Sequence, residues 1–136
     1  MTAILEPLEL NKEFNQLASN NQIEKTVQAL EANGISTMIF ETGNAAREYA
    51  LRLIPSGAEV YNPPSRTLDE IGLTADIESS INFQYVRSRL HALDRATQQP
   101  KIRRLISSPD IVIGSVHAIT ERGEVLVASA SGSQLG

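Results

Sequence analysis

The alternation of short apolar runs with helical stretches constrains this chain more than any other feature. Ile35-Ser36-Thr37-Met38-Ile39-Phe40 reads as a strand of branched and aromatic residues. Thr42-Gly43-Asn44 is a turn and cap, and Ala46, Tyr49, Ala50 and Leu53 recur at helical spacing behind it. Pro55-Ser56-Gly57 stops that helix, and Ala58-Glu59-Val60-Tyr61 is a second short strand. Strand, helix, strand in this order requires a parallel pairing with a crossover. Later, Ile111-Val112-Ile113 and Val125-Leu126-Val127-Ala128 are two more apolar runs, with a turn at Glu121-Arg122-Gly123 between them. The expected fold is α/β, a three-layer-like open sheet, mostly parallel, with a C-terminal hairpin.

The helices between these runs follow from spacing and caps. Asn21 with Glu24 is a cap-like pair, Ile23, Val27 and Leu30 form one stripe, and Gly34 ends the helix. Thr67 with Glu70 reads as a capping box opening a short helix after Asn62-Pro63-Pro64. Residues 74–108 are expected to be helical throughout: Phe83, Val86, Leu90 and Leu93 share a stripe, and Pro100 opens a last helix. Residues 1–20 are read as an N-terminal arm and 21–136 as the domain.

Composition narrows the function classes. A hydrophobic content of 41% with 21% charge fits a folded domain rather than a disordered chain. No apolar run is long enough to span a bilayer, and Met1–Glu6 lacks the basic-then-apolar pattern of a leader, so cytoplasm is the default. Without cysteine there is no disulfide, thiolate nucleophile or Cys-held metal. No cofactor or metal site is expected: His117 with Glu121 is too sparse for one. The net charge of −4 is uneven, with −7 over residues 1–86, +5 over 87–104 and −2 over 105–136. The basic stretch reads as a solvated helix face or as a dock for an acidic partner. Nucleic acid is not expected, since aromatics for base stacking make up only 4%.

Candidate site residues gather after strands. In an open α/β sheet the loops leaving the carboxyl ends of strands hold ligands. Ser65, Arg66 and Thr67 follow the strand at 58–61 and suit a phosphate or carboxylate, although Thr67 also serves as a simple cap and Arg66 as a solvated side chain. Ser115 and His117, two residues apart, point the same way on an extended segment. With no strand-turn-helix elbow and no third residue to orient His117, a binding role fits them better than a nucleophile–base pair. Ser131 and Ser133, in Ser129-Ala130-Ser131-Gly132-Ser133-Gln134, either cradle an anion or belong to a chain terminus. His91 and Asp94 are expected on one helix face, as a surface pair or an oriented base.

Four stretches carry a resemblance: SRTLDEIGL at 65–73, ALDRATQ at 92–98, DIVIGSVHAIT with the Gly123 turn, and ASASGSQL at 128–135. In order and spacing they resemble the lactate-utilization (LUD) domain family of LutC-type proteins. The resemblance implies a fold similar to ribose-5-phosphate isomerase, glucosamine-6-phosphate isomerase and CoA-transferases. It also implies a role in converting L-lactate to pyruvate beside iron–sulfur partner proteins. By that resemblance Ser65, Arg66 and Thr67 occupy the loop where the isomerases hold phosphate, and Ser115, His117 and Thr120 lie on a second crevice-facing segment. The implied ligand is a small anionic metabolite. A non-catalytic accessory subunit that docks on iron–sulfur proteins through residues 87–104 is the alternative, and an isomerase- or transferase-like enzyme is a third. Its acid or base would come from Asp69, Glu70, Asp94 or Glu121, and the sequence assigns none of them a catalytic role. Two departures stand out. Asn62-Pro63-Pro64 replaces a small or glycine-containing turn, and the family's domains continue past GSQL. That second departure implies an incomplete C-terminal end, or a homo-oligomer in which a second copy supplies the cover.

Overall fold

The computed structural model describes residues 16–128. The described residues divide into two compact units: 16–37 together with Ile119–Glu124, and Met38–Ala118 together with 125–128.

The first unit is built on α1, Asn20–Ala32. Its start is a capping box between Ser19 and Gln22, two residues ahead of the expected Asn21–Glu24 pair. Gln22 Oε1 accepts from the Ser19 N–H at 2.9 Å, and the Ser19 hydroxyl accepts from the Gln22 N–H at 3.4 Å. The helix ends where Gly34 takes φ +81°, which lets the Ile35 N–H reach back to the Leu30 carbonyl at 2.9 Å. Gly123 is buried in the same unit at φ +78°. A Cβ there would lie 2.8 Å from the Ala29 carbonyl, so this turn takes only glycine.

The second unit holds the sheet. Its strands are β1 (Glu59–Tyr61), β2 (Gln84–Tyr85) and β3 (Ile111–Val112), in the order β2-β1-β3. Both pairings are parallel, with Val60 opposite Tyr85 on one side and Ile111 on the other. This small parallel sheet among helices makes the fold α/β. Two further short strands, β4 (Ala118–Ile119) and β5 (Val125–Leu126), form a separate two-stranded sheet. Thus Ile111–Val112 pairs with β1, while the apolar run at 125 pairs with residues 118–119.

Helices fill the connections. These are α2 (Gly43–Leu53, capped by Thr42), α3 (Arg66–Glu70), α4 (Leu73–Ser79), α5 (Val86–His91) and α6 (Gln99–Ser107). The core joins Ile54, Ala58, Val60, Leu68, Leu73, Ile77 and Tyr85. Val60, Ile77 and Val86 have no exposed surface at all.

Two expectations fail for the same physical reason. Residues 35–40 form no strand: Met38 and Ile39 lie about three-fifths exposed, and the segment finds no edge to pair with. Phe40 instead packs on the Tyr49 ring, with centroids 5.2 Å apart. Residues 74–108 are not helical throughout, because Gln84–Tyr85 becomes the edge strand β2. Apolar spacing records which side chains want burial; only pairing with β1 decides that Tyr85 obtains it in a strand.

Replacing Ile77 with alanine is expected to cost about 2–5 kcal/mol of unfolding free energy. Ile81→Ala, at a side chain 99% exposed, is expected to change it by no more than about 0.5 kcal/mol. Urea unfolding of the two variants checks this, and equal effects contradict the core assignment.

Candidate functional site

The exits of β1 and β3 meet. After β1 the chain runs Asn62-Pro63-Pro64 into Ser65, which caps α3, and after β3 it runs Ile113-Gly114 into Ser115. The Ser65 hydroxyl donates to Ser115 Oγ at 2.8 Å and accepts from the Leu68 N–H at 3.2 Å. Ser65 is buried, Ser115 half-buried. Pro63 closes the same gap: its Cγ would lie 3.7 Å from a Cβ on Gly114. Since β1 and β3 are adjacent while β2 lies on the far side of β1, the chain order reverses at β1, and the paired serines stand at that switch point. The Ser115 hydroxyl, taken up as an acceptor by Ser65, still has its own proton to donate.

The other expected residues are distributed as follows. Arg66 projects with 91% of its side chain exposed, and its Nε donates to Glu70 Oε1 at 2.7 Å. The Glu70 partner holds that guanidinium even further above its usual value. Glu70 therefore pairs with Arg66, and Ser65 rather than Thr67 is the helix cap. Thr67 is exposed on the first turn. His117 is tied to the second strand of the small sheet: its N–H donates to the Leu126 carbonyl at 3.0 Å, and its Nδ1 accepts from the Ala128 N–H at 3.2 Å. No hydrogen bond joins His117 to Ser115, so the two do not form a nucleophile–base pair.

Thr120 belongs to the other compact unit. Its hydroxyl donates to Glu124 at 3.0 Å and accepts from the Arg122 and Glu124 N–H groups, closing the turn. The Thr120 hydroxyl, then Arg122, hold the Glu124 carboxyl below the usual range. Ser131 and Ser133 lie outside the described residues. His91 ends α5 while Asp94 lies past it, where Asp94 accepts from the Thr97 hydroxyl at 2.7 Å and the Ala96 N–H at 2.9 Å. Those bonds lower its pKa, and the expected His91–Asp94 face does not form.

Two features escaped the sequence reading. Asn62, the first residue past β1, is fully buried. Its Nδ2 donates to Thr74 Oγ1 at 3.3 Å, and its Oδ1 has no partner. Its place at a strand's carboxyl end was the available signal. The second feature is a cleft of about 410 Å³ at the end of β2, lined by Asp69, Thr74, Glu78, Tyr85, Arg87 and His91 among others. Burial raises the Tyr85 phenol pKa; Arg87 beside it works against burial, and Glu78 adds to it.

These observations define the class: a parallel α/β domain whose adjacent strand exits are pinned by a serine pair at the switch point. Residues 23–135 match the LUD domain, and the chain belongs to that family, which is associated with lactate utilization. No curated protein and no solved structure matches the chain. Among the described residues no helix is long and apolar enough to cross a membrane.

A raised phenol pKa sets the sign of an alkaline effect. Tyr85 contributes stability that is fully present below the ordinary phenol value of 10.0 and is lost as pH rises through its higher folded-state value. Spectrophotometric alkaline titration should therefore show one late-ionising tyrosine whose ionisation accompanies unfolding. Tyr85→Phe should remove that component, and an unchanged curve contradicts the assignment.

Proposed function

We propose that this LUD domain binds a small organic acid of the lactate and pyruvate type at the carboxyl ends of β1 and β3. The observation that carries this reading is the 2.8 Å hydrogen bond between Ser65 and Ser115. It ties two loops at a switch point, where an open parallel sheet receives ligands, and leaves a hydroxyl proton available for a carboxylate oxygen. Arg66 supplies the charge. Its only described partner is Glu70, at an exposed ion pair that is readily exchanged for a ligand carboxylate. Thr67, exposed on the next position, adds a hydroxyl at the same rim.

The family's association with lactate utilization supports the choice of acid. The resemblance of SRTLDEIGL to the LUD family, which places Ser65, Arg66 and Thr67 in the loop where the similarly folded isomerases hold phosphate, supports the choice of loop. Ser115 has no imidazole or carboxylate hydrogen-bonded to it among the described residues. This favours binding over attack by an activated serine.

Thermal unfolding of the full chain with L-lactate, pyruvate or ribose 5-phosphate tests the reading. One of the two organic acids is expected to raise the Tm in a concentration-dependent way. Ser115→Ala is expected to weaken that binding by up to about tenfold, the worth of one hydrogen bond, and Arg66→Ala by more. The proposal fails if no organic acid binds, or if both variants bind as the parent does.

A further inference from the structure

We propose that the cleft at the end of β2 is a second ligand site, specific for a zwitterion of the free α-amino-acid type. The cleft is separate from the serine pair and shares no residue with it. Its volume of about 410 Å³ holds an amino acid with water to spare.

The lining explains the specificity. The lining brings together Arg87, on the first turn of α5, Asp69 of α3 and Glu78 of α4. None of the three forms an ion pair with another among the described residues. Opposite charges that share one cleft without neutralising each other leave both a cationic and an anionic subsite open. A guanidinium takes a carboxylate in a planar fork, and a carboxylate pair takes an ammonium. The two carboxylates outnumber the one guanidinium, so a simple anion is disfavoured and an ammonium is required. Among the described residues no group of three or more His, Asp or Glu is arranged to hold a metal, which leaves an organic cation as the fitting occupant.

One lining residue, Thr74, is bonded to the buried interior. Fully buried Asn62 donates to the Thr74 oxygen, so the Thr74 hydroxyl has its proton free for the cleft. Tyr85, a buried residue of the lining with Arg87 near its phenol, offers an aromatic surface to the ligand's side chain.

Matched probes test the proposal on the full chain by calorimetry. The zwitterions are L-alanine and L-phenylalanine. L-lactate and L-3-phenyllactate exchange the ammonium for a hydroxyl, and phenethylamine lacks the carboxylate. At least one amino acid is expected to bind. Its affinity should fall at least tenfold in Asp69→Asn/Glu78→Gln and in Arg87→Gln, and remain unchanged in Ser115→Ala. L-lactate binding, if it occurs at the serine pair, should show the opposite pattern, so the two sites fail or succeed separately. The proposal is overturned if neither amino acid binds, if binding survives Asp69→Asn/Glu78→Gln, or if phenethylamine binds as tightly as phenylalanine.

Discussion

Everything in the second unit depends on the burial of β1 between two parallel neighbours. Val60 has no exposed surface, and its backbone is paired with Tyr85 on one side and Ile111 on the other. A parallel strand cannot be joined to its neighbour by a tight turn, so the chain must leave β1, cover the sheet with α3 and α4, and return as β2. It then crosses to the opposite edge of β1 as β3. That reversal carries successive exits to opposite sides of β1, the position at which open parallel sheets receive ligands. Leu68, Leu73 and Ile77, which share the core cluster with Val60, lie on α3 and α4, the helices that also carry Arg66, Asp69 and Glu78.

The two sites make different electrostatic demands on one sheet. At the β1–β3 exits the fixed groups are neutral hydroxyls, and the cation Arg66 waits on the rim. At the β2 exit the fixed groups are charged and unmatched, with carboxylates in excess. Asn62 lies behind the first exit yet bonds to Thr74, which lines the second. A single buried amide therefore stands between them, with its oxygen unmet.

Much of this arrangement was legible in the residues. The strand at 58–61, the helices ended by Gly34 and by Pro55, and the helix opened by Pro100 follow from caps and breakers, whose chemistry is local. Ser65 and Ser115 were legible as strand-exit residues, though not as a bonded pair, since fifty residues of chain separate them and only the β1–β3 register brings them together. What was not legible depended on partners. Ile35–Phe40 has the composition of a strand but no neighbour to pair with, while Gln84–Tyr85 lies within a stretch expected to be helical and pairs with β1. The helix cap is Ser65 rather than Thr67 because the helix begins at Arg66 and the Ser65 hydroxyl takes the Leu68 N–H. Asn62 looked like part of a proline turn, and its importance lies in a burial that no linear pattern records.

The most direct test of the account is to map L-lactate onto the assigned amide NMR spectrum of the full chain. The account predicts perturbations concentrated at Asn62, Ser65–Thr67 and Ile113–Ser115, the two strand exits joined by the serine bond. Perturbations confined to the Arg87–His91 helix, or none at saturating lactate, would contradict it.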